Sequence, residues 1–196
     1  MSIDTLSREF PWPESKPLTQ GDIHGFGINR ALYDLIPKKD NPVFVEVGVW
    51  LGSNLIHLLE ARPEVQVIAV DHWKGSPEHK TRGGWKKRLP HLWENFCVNV
   101  WRHKGSIIPV KLGAEDAFPI LAQHEIQADC VYIDGAHDYD SVARDCRLSL
   151  ETFPNAVITG DDYPHEPLKK AVHDVAEEFG LKVKNLGRLW WYEGRN

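Results

Sequence analysis

The chain has few cysteines and one methionine, and no stretch of it is uniformly apolar. Its three cysteines are odd in number and lie inside apolar or helical patterns without paired spacing: Cys97, Cys130 and Cys146. Such a set argues against a disulfide framework and against a zinc site, and is typical of reduced core cysteines. We therefore expect a cytoplasmic protein.

Two further absences narrow the class of protein. No apolar run approaches the roughly 20 residues that span a bilayer, and the first residues, MSIDTLSREF, lack the basic and then apolar profile of a secretory signal. We expect neither membrane insertion nor export. The formal net charge of −5 argues against a general nucleic-acid-binding protein, which normally carries a basic surface.

The composition of the chain is that of one ordinary globular domain. The 196 residues are 42% hydrophobic and 26% charged, which predicts one domain over residues 1–196. Residues 1–27 are rich in proline, glycine and polar groups, with Trp12 and Phe26 as isolated anchors, so we expect an arm there. A short helix is predicted at Ile28–Ile36, which completes an amino-terminal segment of residues 1–37.

From Pro42 onward, strand-like runs alternate with helical patterns. Five strands, each followed by a predicted helix, begin at VFVEVG, VQVIAVD, SIIPVKL, ADCVYID and NAVITGDD. This alternation predicts an α/β fold with a doubly wound, mostly parallel sheet. The runs LKVKNLG and RLWWYEG have no helix between them. We therefore expect an antiparallel carboxy-terminal hairpin at the edge of a seven-stranded sheet.

Acidic residues follow three of these predicted strands. In open α/β sheets, ligands bind outside the carboxyl ends of the strands. A set of acids at this edge predicts a site, although solvated turns remain the alternative. The acids are Asp71, Asp134, Asp161 and Asp162.

The turn after the first predicted strand, EVGVWLGSN, carries the pattern of a ligand-binding turn. Glycines permit positive φ and close ligand approach, and a helix start offers free N–H groups. The residues are Glu46, Gly48, Gly52 and Ser53. Trp50 stands where a dinucleotide turn would have its second glycine. Asp71 lies about 20 residues beyond Gly48, positioned to accept hydrogen bonds from ribose hydroxyls. The turn predicts a nucleoside without a pyrophosphate; a glycine turn needed only for packing is the alternative.

At this point the chain resembles the class I S-adenosylmethionine-dependent methyltransferases. The segment Glu46-x-Gly48-x-x-x-Gly52 is similar to their first motif, which cradles the methionine part of the cofactor, and Asp71 is similar to their ribose acid. In LGAEDA, Glu115 and its neighbour Asp116 match residues that line the adenine. The resemblance covers about Pro42 to Glu193.

Within that superfamily, VDHWKGS, IDGAHDYDSVARD and TGDDY resemble the metal-dependent branch that acts on small molecules and sugars, such as the macrolide-sugar (macrocin) and rhamnosyl O-methyltransferases. The resemblance implies Mg²⁺, or Mn²⁺, held by Asp134, Asp161 and Asp162. It implies His137 as general base and Asp134 as an additional cofactor contact. The implied reaction is methyl transfer from S-adenosylmethionine to a hydroxyl of a small molecule or sugar.

The residue types suit this chemistry. Carboxylates are hard oxygen donors that favour Mg²⁺, and a histidine titrates in the range that a general base requires. Neighbouring strand residues face opposite sides, so Asp161 and Asp162 can share an ion only if the chain turns at Gly160. Arg144 and Asp145, on the helix predicted after His137, are expected to be structural.

A basic run, residues 72–91, follows Asp71. It holds one acid, Glu78, against Lys74, Lys80, Arg82, Lys86, Lys87 and Arg88. A solvated loop is the usual interpretation of such a run. Placed at the rim of the site, it would bind an anionic or sugar-containing small molecule through its charges and Trp85. The oligomeric state stays open.

Three other functions fit part of the pattern. A hydroxylase-type relative would keep the cofactor and metal residues, and a non-catalytic S-adenosylmethionine-binding protein would not need the metal ligands. A nucleic-acid methyltransferase is disfavoured by the net charge and by the lack of an Asn/Asp-Pro-Pro-Tyr motif. The chain also has Pro154-Asn155-Ala156 where the metal-dependent branch commonly has Pro-Gly-Gly.

Overall fold

A computed structural model describes residues 3–19, 30–81 and 83–194. Its centre is a seven-stranded sheet with the strand order β3-β2-β1-β4-β5-β7-β6. The first five strands pair in parallel and β7 pairs antiparallel with both β5 and β6, which confirms the predicted α/β fold. The strands are β1 (Val43–Val47), β2 (Gln66–Val70), β3 (Ile107–Val110), β4 (Cys130–Ile133), β5 (Val157–Gly160), β6 (Lys182–Leu186) and β7 (Leu189–Glu193).

Helices cover both faces of the sheet. They are α1 (Ile3–Glu9), α2 (Leu32–Leu35), α3 (Ser53–Ala61), α4 (Pro77–Thr81), α5 (Gly83–Lys86), α6 (Leu92–Val100), α7 (Ala114–Gln123), α8 (Tyr139–Thr152) and α9 (Glu166–Glu178). Short 3-10 turns occupy Leu89–His91 and Trp101–Ser106. None of the helices in the described ranges is long and apolar enough to cross a membrane.

The strands are apolar on both sides because both faces of the sheet are buried. Phe44 of β1 packs with α3 and α6 in one core cluster, whereas its neighbour Val45 packs with α7, α8 and α9 in the other. Alternate residues of a strand point to opposite faces, so a doubly covered strand needs a continuous apolar run. This is why the five parallel strands could be recognised in the sequence.

The start of the chain contains a helix that the sequence analysis did not predict. In α1, Leu6 is fully buried in the core, and Glu9 lies 2.7 Å from His124 of the loop after α7. These two long-range contacts stabilise a helix too short to form alone in water. Further on, the Trp12 ring packs on Phe96 and its Nε1 donates to the Ile107 carbonyl oxygen at 2.9 Å.

The structure also tests the short helix predicted near the start of the chain and the expected state of the cysteines. The helix predicted at Ile28–Ile36 is α2, which is shorter, while Phe26, Ile28 and Asn29 lie outside the described residues. The three cysteines are buried and form no disulfide.

Candidate active site

A cavity of about 380 Å³ opens at the carboxyl ends of the parallel strands. Its volume falls in the range of small-molecule sites. The turns after β1, β2, β3 and β4 all contribute to its wall, and Gly48, Asp71 and Asp134 of the predicted site residues line it. The cavity therefore lies where a doubly wound sheet is expected to bind its ligand.

The turn after β1 packs directly on the turn after β4. Gly48 has φ +87°, and a Cβ added to it would lie 2.4 Å from the carbonyl oxygen of Asp134. The glycine is thus required by the contact between the two turns as well as by the backbone angle. Gly52, with φ +78°, faces Phe96 and Val100, and neither Gly52 nor Ser53 lines the cavity.

Asp71 fixes the β1 turn to the tip of β2. Its Oδ2 accepts hydrogen bonds from the backbone N–H groups of Val49 at 3.0 Å and Trp50 at 2.9 Å, and its Oδ1 accepts from Trp73 N at 2.6 Å. A carboxylate offers about four acceptor positions. Asp71 therefore stabilises the turn, lines the cavity and can accept a further hydrogen bond.

Glu46 is buried, with 1% of its surface exposed, and does not line the cavity. Its Oε2 accepts a hydrogen bond from Asn54 Nδ2 of α3 at 2.9 Å. Burial raises the pKa of Glu46 to about 8, with the hydrogen bond from Asn54 acting in the opposite direction. The side chain is therefore largely protonated at neutral pH and connects β1 to α3.

Asp134, His137 and Asp162 come together beside the cavity. One ligand atom from each lies within 4.8 Å of the others, and His137 Nε2 is 2.8 Å from Asp162 Oδ2. The hydrogen bond with His137 lowers the pKa of Asp162. Burial, and next the carboxylate of Asp161, raises the pKa of Asp134 well above its usual value. Such crowded acids are stabilised by a positive charge placed among them.

Asp161 has a different partner. It is 7% exposed, and its carboxylate accepts from Arg188 Nε at 3.2 Å and Nη2 at 2.9 Å. Arg188 also lies 2.5 Å from Asp162 Oδ1. Of the three predicted metal ligands, Asp134 and Asp162 thus group with His137, whereas Asp161 does not; Arg188 pairs with both Asp161 and Asp162. The turn that separates Asp161 from Asp162 uses a left-handed residue, Asp162 itself, with φ 58°.

The chain was expected to turn at Gly160, but the left-handed residue is Asp162, and Gly160 is required by close packing instead. A Cβ on Gly160 would lie 2.5 Å from the Ile133 carbonyl oxygen and 2.6 Å from the Trp190 ring. The Trp190 Nε1–H in turn donates to the Asp161 carbonyl oxygen at 3.1 Å. Strand β7 therefore positions the end of β5, a long-range effect that no local pattern signals.

The wall near α7 and α8 differs from the prediction. Glu115 is exposed on 63% of its side chain, lies 3.5 Å from Arg144 Nη1 and is not a cavity residue. The adjacent backbone of Gly113 and Ala114 lines the cavity instead. Arg144 and Asp145, expected to be structural, line it as well.

Part of the basic run also forms the cavity wall. His72, Ser76, His79 and Lys80 line it. The His79 ring lies 4.2 Å from the Trp50 ring, and Trp85 lies 5.4 Å from Trp50. These aromatic contacts hold the segment against the β1 turn.

Comparisons with known proteins agree with this architecture. A family model described as a methyltransferase domain matches residues 45–163, which is more than half of the chain. No sequence among the curated proteins matches.

Solved structures share the fold at low identity. CalS11, a calicheamicin methyltransferase, is 16% identical with a TM-score of 0.57, over 84% of this chain and 76% of that one. A precorrin 8W decarboxylase from Methanobacterium thermoautotrophicum is 17% identical with a TM-score of 0.56, over 84% and 87%. Aeropyrum pernix fibrillarin, solved with S-adenosylmethionine, is 17% identical with a TM-score of 0.52, over 84% and 74%.

Proposed function

The chain belongs to the methyltransferase domain family, and on that basis we propose that it transfers a methyl group from S-adenosylmethionine to a hydroxyl of a small molecule, assisted by a divalent cation. The observation that carries this proposal is the group Asp134, His137 and Asp162 beside a cavity that Gly48 and Asp71 also line. Asp134 belongs to both sets, so the proposed acid–base group adjoins the cavity in which we place the cofactor.

The polar groups of the cavity support the proposed cofactor. The β1 turn offers closely approachable backbone at Gly48, and Asp71 keeps acceptor capacity for ribose hydroxyls. Glu46 acts behind the turn, by holding β1 against α3 through Asn54. Gly52 and Ser53 stand at the start of α3 and do not line the cavity, and Gly52 packs against Phe96 and Val100.

A divalent cation fits the donor set. Carboxylate oxygens are the ligands that Mg²⁺ and Mn²⁺ favour, and we assign them to Asp134 and Asp162. Arg188 pairs with both Asp161 and Asp162, so a bound cation would have to compete with this guanidinium for their oxygens. When bound, the cation supplies positive charge that favours the ionised form of an acceptor hydroxyl.

His137 is assigned as the general base. In the tautomer whose Nε2–H donates to Asp162 Oδ2, Nδ1 is the basic nitrogen that takes the hydroxyl proton, and Asp162 stabilises the resulting imidazolium. The acceptor oxygen forms a bond to the methyl carbon as the carbon–sulfur bond breaks. The products are a methyl ether, S-adenosylhomocysteine and a proton.

The acceptor is proposed to be an anionic or sugar-containing small molecule. Lys80 and His79 line the cavity wall, and Trp50 adds an aromatic surface. Lys80→Glu should raise the KM for an anionic acceptor, whereas Lys86→Glu, at an exposed position that does not line the cavity, should leave it unchanged. If both substitutions raise the KM equally, the acceptor is attracted by the overall positive charge of the segment and not by a direct contact with Lys80.

A thermal-shift matrix tests the proposal. S-adenosylhomocysteine at about 100 times its Kd should raise the Tm of the wild type by about 5 to 10 °C. Mg²⁺ or Mn²⁺ should raise it further, and Asp134→Asn should remove the metal increment. Asp140→Asn, the same change at an exposed position in the first turn of α8, is the matched control and should keep it.

Product analysis separates the remaining candidates. A methyltransferase adds the mass of one methylene group to its acceptor, and a hydroxylase adds the mass of one oxygen atom. If S-adenosylhomocysteine produces no thermal shift in a folded wild type, the proposed cofactor is wrong. If S-adenosylhomocysteine raises the Tm and the metal ion adds nothing to it, the proposed methyl transfer stands and the proposed role of the metal is wrong.

A further inference from the structure

The side chain of Arg188 bridges two carboxylates at the proposed metal site. Its Nε lies 3.2 Å from Asp161 Oδ1, and its Nη2 lies 2.9 Å from Asp161 Oδ2. The same Nη2 lies 2.5 Å from Asp162 Oδ1, while the other oxygen of Asp162 contacts His137. The Arg188 side chain is 60% exposed. One partly solvated guanidinium therefore binds oxygens of two acids that were predicted to hold a cation.

The hairpin between β6 and β7 delivers this arginine to the acids. Leu186 pairs with Leu189, so Gly187 and Arg188 form a two-residue turn, and Gly187 has φ 62°. Glycine at the first position is typical of such hairpin turns. The Arg188 carbonyl oxygen also accepts a hydrogen bond from the Tyr163 N–H, in the turn after β5, at 3.0 Å. The backbone that carries the guanidinium is thus attached to the backbone that carries the acids.

Arg188 interacts electrostatically with all three of the predicted ligands. The hydrogen bond to Asp161 raises the pKa of Arg188, and the charges of Asp161, Asp162 and Asp134 act in the same direction, against its partial burial. Close carboxylates repel one another unless a positive charge lies among them. The guanidinium supplies such a charge from within the chain.

A guanidinium and a divalent cation exclude each other from the same carboxylate lone pairs. Arginine carries donors only and keeps its charge at any ordinary pH. We infer that Arg188 is a positioning residue and an internal counter-ion of the acids: it holds Asp161 and Asp162 in place, and a divalent cation binds by displacing it. Arg188 therefore lowers the affinity for the cation. This inference rests on the proposal that the site takes a divalent cation.

The test measures cation affinity and needs no catalysis. Mn²⁺ is titrated into the protein without cofactor or acceptor, and free Mn²⁺ is followed by electron paramagnetic resonance. Arg188→Gln, which removes the charge and keeps a donor, should bind Mn²⁺ about 10- to 100-fold more tightly than the wild type, since a charge a few ångströms away repels the ion through a partly solvated medium. Arg188→Met should show the same gain. Arg188→Lys keeps the charge and should stay near the wild-type affinity.

Two controls locate the effect. Arg147→Gln removes the same charge from an arginine that pairs with Glu178 at 2.8 Å and does not line the cavity, and it should leave the affinity unchanged. Arg188→Gln combined with Asp134→Asn should lose most of the gain, because one ligand of the proposed site is then gone. A gain that persists in this double variant would place the ion elsewhere and overturn the inference.

The direction of the change separates this role from a purely structural one. If Arg188 only stabilised the turn, its loss would disorder the acids and weaken Mn²⁺ binding, so an unchanged or weaker affinity in both Arg188→Gln and Arg188→Met overturns the inference and leaves the proposed cation standing. If neither the wild type nor any Arg188 variant binds Mn²⁺, the proposed cation is wrong and the inference fails with it.

Discussion

Glu46→Gln should make the stability of the protein less dependent on pH. The pKa of Glu46 rises from 4.5 to about 8 through burial, so folding takes up a proton between these values. The stabilising contribution is fully present below about pH 4.5 and is lost as the pH rises through about 8. One pKa unit corresponds to about 1.4 kcal/mol, and the part lost between pH 6 and pH 8 is about 2 kcal/mol. Glutamine stays neutral and keeps an oxygen for Asn54.

The assay is urea unfolding of both proteins at pH 6, 7 and 8, with the free energy of unfolding extrapolated to zero denaturant. The stability of Glu46→Gln relative to the wild type should increase by about 2 kcal/mol across this range. All other titrating groups are common to both proteins and cancel in the difference. A difference that stays constant with pH would show that Glu46 is ionised in the folded state, and would refute the assignment of a protonated carboxyl group beneath the turn.

Three other predictions concern the site. His137→Ala should lower methyl transfer by about 10²- to 10⁴-fold with little change in calorimetric affinity for S-adenosylhomocysteine, and full activity would remove His137 from the reaction. Gly48→Ala should lower the Tm clearly because its Cβ meets the Asp134 backbone, whereas Gly84→Ala, which meets nothing within 4 Å, should not; equal Tm values would contradict the close contact. Arg188→Met should cost about 1–3 kcal/mol in urea unfolding by removing the partner that Asp161 and Asp162 share, and much less in a background that carries both Asp161→Asn and Asp162→Asn; an equal cost in both would exclude that pairing.

The fold could be predicted because its signal is local and repeated. Each parallel strand is buried on both faces and therefore reads as an apolar run, and each is followed by an amphipathic helix. Asp71 and Asp134 could be recognised as candidate site residues for the same reason, because each places a charge directly after an apolar strand. The sheet then brings both residues to one cavity.

The residues that the sequence did not indicate depend on contacts between distant segments. Arg188 lies 27 positions from Asp161, in the turn between β6 and β7, where an arginine is unremarkable by itself. Asp145 follows the helical pattern of α8 as any polar residue would, and its place in the cavity wall depends on how α8 packs in the fold. Glu115 was indicated by the sequence but does not line the cavity, because its position in a motif does not determine the direction of its side chain.

The contact between Gly48 and Asp134 has a thermodynamic consequence. The Asp134 N–H donates to the Val47 carbonyl oxygen at 2.8 Å, and the Gly48 N–H donates to Val70 at 2.9 Å, so the three strand tips are joined by backbone hydrogen bonds. A ligand that orders the β1 turn must then order the backbone that carries Asp134. Under the proposed function, binding at the two places would be heterotropically coupled, and such coupling is reciprocal. Whatever factor the proposed cation added to the affinity for the nucleoside, the nucleoside would add to the affinity for the cation.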